Sequence, residues 1–365
     1  MKKAEYKLLK GNEVIAIAAI RCGCDGYFGY PITPQSEVME TLMDLKPWET
    51  TGMVVLQAES EVASINMLYG GAATGKKVFT SSSSPGVSLM AEGLTYLAGA
   101  ELPCVIVNIV RGGPGLGTIQ PAQSDYFQAT KGGGHGDYRL IVLAPSSVQE
   151  MNDFMDLGFE LAFKYRNPVM ILSDGMIGQM MEKVQLSPEK PRWTEQEVEE
   201  LNGSWSVKGK LASRERHIAT SLELDPAKQE KFNEKLVAKY AEISKNETRY
   251  EKIMCDDAEY LIVAYGSSAR ISQKTIEMAR EKGIKLGLLR PITLYPYPTQ
   301  AIQELVPQLK CVLTVEMSTG QMIEDVRLAV NGKIPVEHYG RVGGMIPSPE
   351  EVLNAIENLI GRTQK

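Results

Sequence analysis

Thr33, Glu61, Arg111 and the serine run Ser81 to Ser84 are residues whose types and settings could carry chemistry. Thr33 lies in Tyr30-Pro31-Ile32-Thr33-Pro34, where the proline rings fix φ near about −65° and restrict the residues before them, so the hydroxyl sits on a stiff loop. Glu59 and Glu61 lie in Gln57-Ala58-Glu59-Ser60-Glu61, where the short apolar run Val54-Val55-Leu56 turns into an Ala/Gly-rich helix start. A carboxylate at such a junction can face a cofactor. Glu61 is the better placed, because the small residues Ala63 and Ser64 after it let a helix approach a flat ring; Glu59 points elsewhere. The structural alternative for Glu61 is a solvated acid favoured by the helix dipole. Arg111 ends the apolar run Cys104 to Val110 and precedes Gly112-Gly113-Pro114-Gly115-Leu116-Gly117, so it puts a cation where a carboxylate could dock. The glycine cluster suits a loop needing positive φ as well as it suits a phosphate cradle. Hydroxyls and amides in Ser81 to Ser84, ahead of Pro85-Gly86, can bind an anion or simply cap a helix.

These residues need a scaffold that brings strand ends together, and the apolar patterning supplies one. From Gly11 to about Gln185, apolar runs alternate with helical stretches, the mark of a mostly parallel α/β sheet. Residues 186–255 break that rhythm with Pro188, Pro191, Trp193, Trp205 and many charges, and read as a linker. Within it one amphipathic helix is expected, with Asp225 as N-cap, Pro226 at N1, and Phe232, Leu236, Val237, Tyr240 and Ile243 at helical spacing. From Glu259 the alternation returns. The expected fold is therefore α/β with two domains of mostly parallel sheets, 1–185 and 256–365.

Composition narrows the function. A chain of 365 residues exceeds one ordinary core. A net charge of −6 gives no basic footprint for nucleic acid. The longest apolar stretches, such as Ala98 to Val110, are interrupted by Glu101, Pro103 and Asn108 and fall short of the roughly 20 residues a membrane helix needs, so no membrane span is expected. Two lysines near the amino terminus are not followed by an apolar segment, so no secretory signal is expected and the cytoplasm is the expected location. Five scattered cysteines argue against a disulfide framework, and Cys22-Gly23-Cys24 is the only close pair, which is too few for an iron–sulfur cluster. His135, His217 and His338 are too far apart in sequence to suggest a metal site.

The Tyr30 to Pro34 run followed by Gln57 to Glu61, with Arg111 at its strand end, Thr118-Ile119-Gln120-Pro121 and Thr130 to His135, resembles the α subunits of the 2-oxoacid:ferredoxin oxidoreductases over nearly the whole chain. The resemblance implies a pyrimidine-type thiamine diphosphate-binding domain over 1–185 and a transketolase C-terminal-like domain over 256–365. It implies that Glu61 hydrogen-bonds the aminopyrimidine of the cofactor, with Pro31, Ile32, Ser83 and Ser84 beside it, and that Thr33 and Arg111 meet the oxoacid carboxylate. The implied activity is oxidative decarboxylation of a 2-oxoacid to acyl-CoA, with coenzyme A as co-substrate and electrons passed to ferredoxin. The branched-chain (2-oxoisovalerate) members are the best match and the 2-oxoglutarate members the alternative. A β subunit would carry Mg²⁺, the diphosphate site and a 4Fe-4S cluster, beside γ and ferredoxin-like δ subunits. Outside the family, a non-catalytic α/β scaffold or a redox-silent thiamine enzyme would also fit the composition.

Three further features read as decoys. Asp174-Gly175 followed by Asn202 imitates the spacing of a Mg²⁺–diphosphate motif, but Ser173 stands where a glycine is usual and the intervening segment carries Pro188 and Pro191. No metal ligand is therefore expected in this chain. His135 in Gly132-Gly133-Gly134-His135 reads as loop surface or as a lining of a site entrance. No Gly-x-Ser-x-Gly elbow is present, so a serine hydrolase is not expected.

Overall fold

The computed structural model describes residues 4–209, 212 and 214–363. In chain order, its first strands are β1 (Tyr6–Lys10), β2 (Gly26–Gly29), β3 (Val54–Gln57), β4 (Val78–Ser82), β5 (Val105–Val110), β6 (Ile141–Leu143), β7 (Val169–Asp174) and β8 (Met181–Gln185). They are followed by β9 (Tyr250–Ile253), β10 (Tyr260–Ala264), β11 (Leu286–Pro291), β12 (Thr293–Tyr295), β13 (Cys311–Glu316) and β14 (Val336–Gly340).

Seven strands form the first sheet in the order β12-β6-β7-β5-β4-β2-β3. All its pairs are parallel except β12 with β6. The central strands are continuous apolar runs because both faces are covered: every residue of β5 and β7 is buried. Helices Gly11–Arg21, Ser36–Leu45 and Val148–Tyr165 cover one face through Val14, Leu42 and Met155. Glu61–Ala73 and Ser84–Gly99 cover the other through Leu68 and Met90. From β2 the chain steps outward to β3, then returns across β2 to β4 and continues the other way to β5. That reversal opens a crevice between the carboxyl ends of β2 and β4, where open α/β sheets bind ligands.

The second sheet has the order β14-β13-β10-β11-β9, parallel except for β9. The two sheets are bound to each other. β12 follows β11 directly yet pairs with β6, so the second half of the chain completes the edge of the first sheet. Gln123, 2% exposed, donates through Nε2 to the Tyr265 carbonyl (2.8 Å) and accepts at Oε1 from Ser268 Oγ (2.6 Å) and Met317 N (3.0 Å).

Residues 186–255 hold more than the single helix expected of them. The expected helix is present as Pro226–Asn246, with Asp225 accepting from Ala227 N. A second, Glu195–Asn202, starts on a Thr194/Glu197 capping box; it buries Val198 and Asn202, too few apolar positions to show a period. β9 is an antiparallel edge strand with mostly exposed side chains, so it leaves no apolar run either.

Candidate functional site

The loop after β2 enters the crevice with Pro31 and Thr33 exposed and Ile32 half-buried. It is braced from beneath: Gln35 is fully buried, donating through Nε2 to the Tyr30 carbonyl (3.1 Å) and accepting at Oε1 from Ser81 Oγ (2.7 Å) on β4. Ser81 in turn shares a hydrogen bond with Tyr27 OH (2.9 Å) on β2. Of the four serines, Ser81 is thus committed to holding the two strands and the loop together.

Glu61 is the first residue of its helix, capped by Ser60 Oγ accepting from Ala63 N (3.2 Å). It is 6% exposed, whereas Glu59 lies on the surface. No described residue donates to the Glu61 carboxylate, whose oxygens still reach the surface and so are open to a donor from a ligand. Gly86 is what lets it sit there. A Cβ built on Gly86 would come within 2.1 Å of Ser82 Oγ and 2.6 Å of Glu61 Oε1. The hydroxyls of Ser82 and Ser83 are buried and have no partner. An unpaired carboxylate, two unpaired hydroxyls and a position that excludes any side chain are what a flat heteroaromatic ring with ring nitrogens and an amino group would use. The residues fit the pyrimidine half of thiamine diphosphate.

Arg111 follows β5 and is 8% exposed. Its Nη1 donates to the Thr33 carbonyl (3.0 Å) and its Nη2 to the Leu116 carbonyl (3.1 Å), while Nε is buried without a partner. The guanidinium therefore joins the Thr33 loop to the glycine loop, and its spare N–H donors remain for an anion. Gly115 and Gly117 in that loop take φ of 67° and 54°. Ser84 is spent on the scaffold: its Oγ donates to the Arg111 carbonyl (3.3 Å) and accepts from Arg111 N (3.1 Å). Sequence reasoning missed the support beneath it. Asn108 on β5 accepts from Ser84 N (3.1 Å) through Oδ1 and donates to Asp125 Oδ2 (3.0 Å), and burial pushes the Asp125 carboxyl above its ordinary range. The only sequence signal was a lone Asn inside an otherwise apolar strand. Beyond this layer a cavity of about 540 Å³ opens between the two domains, lined by Ser88, Gly113, Asp125, Ser318 and Gln321 among others.

Other candidates are placed elsewhere. Asp174 caps helix Gly175–Gln179, accepting from Met176 N (2.9 Å), Ile177 N (3.3 Å) and Ser267 Oγ (2.8 Å). Asn202 Nδ2 donates to the Gly75 carbonyl (2.9 Å). The two are not brought together. His135 is exposed beside a separate cavity lined by Tyr96, Tyr138 and Asn233. Cys22 and Cys24 are buried with their thiols on backbone carbonyls, and burial pushes the Cys22 thiol up to about 12.

The profile described as pyruvate flavodoxin/ferredoxin oxidoreductase, thiamine diphosphate-binding, matches residues 17–252, and that of pyruvate:ferredoxin oxidoreductase core domain II matches 258–352. The chain is 49% identical over 356 residues to the ketoisovalerate oxidoreductase subunit VorB of Methanothermobacter thermautotrophicus, covering 97% of this chain and 98% of that one. It is 35% identical over 378 residues to the 2-oxoglutarate synthase subunit KorA of Methanothermobacter marburgensis, covering 96% and 98%. Among solved structures, the 2-oxoglutarate:ferredoxin oxidoreductase of Magnetococcus marinus, with 2-oxoglutarate, coenzyme A and succinyl-CoA bound, matches with a TM-score of 0.85 at 27% identity. That match covers 99% of this chain and 66% of the longer one. A split-gene transketolase shares the fold alone, with a TM-score of 0.59 at 13% identity.

Proposed function

Because the chain belongs to the pyruvate flavodoxin/ferredoxin oxidoreductase family, we propose that it is the subunit presenting the pyrimidine and substrate side of a site that oxidatively decarboxylates a branched-chain 2-oxoacid of the ketoisovalerate type. The product would be acyl-CoA, with electrons leaving to ferredoxin. The observation that carries the substrate class is the identity of 49% to a ketoisovalerate oxidoreductase subunit against 35% to a 2-oxoglutarate synthase subunit, each over nearly the full chain.

Thiamine diphosphate, when bound, supplies the acidic ring carbon and the electron sink that decarboxylation of a 2-oxoacid requires. The residues of this chain do the rest on their side of the crevice. Glu61, lacking a protein donor, would hold a proton at N1′ of the aminopyrimidine, the contact by which a carboxylate tunes the acid–base character of that ring. Ser82 and Ser83 offer hydroxyls to the same ring. Gly86 leaves the room in which Glu61 and Ser82 take their places. The Thr33 hydroxyl and the spare Arg111 donors hold and orient the substrate carboxylate, a charge-assisted pairing typically worth about 1.5–3 kcal/mol.

A partner β subunit would supply Mg²⁺, the diphosphate contacts and the 4Fe-4S cluster, with γ and ferredoxin-like δ subunits completing the complex. Five buried, unpaired cysteines suit a reducing cytoplasm, and no described helix is long and apolar enough to cross a membrane. The 1–185 and 256–365 segments would act as the cofactor and interface domains respectively. The test is steady-state turnover of the assembled complex with coenzyme A and a viologen acceptor. A kcat/KM at least about 10-fold higher for 2-oxoisovalerate than for 2-oxoglutarate, worth about 1.4 kcal/mol, is expected; the reverse preference would overturn the substrate class.

A further inference from the structure

The loop that carries Thr33 is gripped by two amides that hydrogen-bond none of Glu61, Ser82, Ser83 or Arg111. Asn12, fully buried in the first turn of helix Gly11–Arg21, donates through Nδ2 to the Pro34 carbonyl (2.7 Å) and to Glu37 Oε2 (2.9 Å). Gln179, the last residue of helix Gly175–Gln179, donates through Nε2 to the same Pro34 carbonyl (3.3 Å) and to Glu37 Oε1 (2.7 Å). One carbonyl and one carboxylate thus take both amides. The Asn12 amide can point only one way, since a flip would set its oxygen against two acceptors. The grip needs two helices closer than side chains allow. A Cβ on Gly11 would lie 2.3 Å from the Ile177 carbonyl oxygen, and one on Gly178 would lie 2.8 Å from Asn12 Oδ1.

The same short helix is tied to the other domain, for the Asp174 carboxylate that caps it also accepts from Ser267 Oγ (2.8 Å). Thr33 is therefore held on both sides, with Arg111 on its own carbonyl and the amide clamp on that of Pro34. We propose that Asn12 and Gln179 are positioning residues for the oxoacid carboxylate, fixing Thr33 through the Pro34 carbonyl and making its placement depend, through Asp174, on the docking of the second domain at Ser267. Reacting groups must be held to a fraction of an ångström, and misplacement by about 1 Å costs on the order of 100-fold in rate. A clamp of four hydrogen bonds on one loop carbonyl and its neighbouring carboxylate supplies that restraint.

This inference rests on the substrate role proposed for Thr33, and a double-mutant cycle in the assembled complex separates the two. Gln179 is exposed, so Gln179→Ala leaves the core intact. Gln179→Ala is expected to raise the oxoacid KM about 3- to 10-fold with thiamine affinity unchanged by fluorescence titration, and to add nothing in a Thr33→Val background. Ser267→Ala should raise KM in the same direction by a smaller factor. If the Gln179→Ala and Thr33→Val effects multiply, the clamp does not act through Thr33 and the inference fails. If Thr33→Val alone leaves KM unchanged, the substrate role of Thr33 fails, and the clamp loses its purpose with it. A normal KM in Ser267→Ala would remove the second domain from the device.

Discussion

Arg111 Nη1 donates to the backbone carbonyl of Thr33 at 3.0 Å, joining residues 78 positions apart at the carboxyl ends of β5 and β2. The contact makes the arginine a fastener that still has donors to spare, because each Nη keeps a second N–H and Nε is unpaired.

Two substitutions test the substrate side of the site. Thr33→Val removes a hydroxyl from an exposed loop residue and is predicted to lower kcat/KM for the oxoacid about 10-fold or more; Arg111→Ala, which also frees the Leu116 and Thr33 carbonyls, is predicted to cost more, toward about 200-fold. Thiamine affinity should stay within about threefold in Thr33→Val. Steady-state kinetics with varied oxoacid, beside a cofactor titration, check this; an unchanged kcat/KM in Arg111→Ala would remove the arginine from the substrate site.

Gly86→Ala sets a helix preference against a steric one. Alanine favours a helix by about 1 kcal/mol over glycine, but a Cβ 2.1 Å from Ser82 Oγ and 2.6 Å from Glu61 Oε1 must displace both groups. The predicted outcome is a Kd for thiamine diphosphate weakened at least about 10-fold, with a melting temperature changed by only a few degrees. Intact cofactor affinity would show that the placement of Ser82 and Glu61 does not matter to the ring.

Asp174 gives a pH signature. Burial raises its pKa above the ordinary carboxylate value, and the hydrogen bond from Ser267 offsets part of that rise. The folded protein then keeps this proton to higher pH than the unfolded chain, so stability falls as pH rises from the ordinary Asp value of about 3.9 to the raised folded value. Asp174→Asn keeps an oxygen to accept from Met176, Ile177 and Ser267 and abolishes the titration. Denaturant melts across that window should show a flatter profile for the variant; a steeper one would contradict the assignment.

The isolated chain is predicted to show no oxoacid-dependent viologen reduction with thiamine diphosphate, Mg²⁺ and coenzyme A, since Asp174 and Asn202 are committed to structural contacts. Turnover near that of the complex would place the whole site on one chain.

The placement of Thr33, Glu61 and Arg111 after strand ends is legible in the sequence because each is announced locally, by flanking prolines, a strand-to-helix junction or a glycine loop. The alternating apolar runs likewise mark the parallel strands, β2 to β7, β10, β11, β13 and β14. What stayed hidden depends on distant pairing. β12 has three residues, and nothing in Thr293–Tyr295 says that it will leave its neighbours to pair with β6. Asn12 reads as an ordinary polar residue at a helix start until helix Gly175–Gln179 and the Pro34 loop are placed around it. The serine run marked a region without dividing its labour, since Ser81 and Ser84 are consumed by Gln35 and Arg111 while Ser82 and Ser83 stay free. Helix Pro349–Thr363, by contrast, buries Val352, Leu353, Ile356 and Leu359, an apolar stripe at helical spacing.

The central claim is that Glu61, and not Glu59, holds N1′ of the aminopyrimidine, and hydrogen–deuterium exchange at C2 of thiamine bound to the assembled complex tests it apart from electron transfer. Glu61→Gln preserves size and removes the carboxylate, so exchange should slow by about 100-fold or more, the scale of a positioned acid–base group. Glu59→Gln, altering a surface residue, should exchange at the parent rate. Parent-rate exchange in Glu61→Gln would contradict the account, and slow exchange in Glu59→Gln alone would transfer the role to the other glutamate.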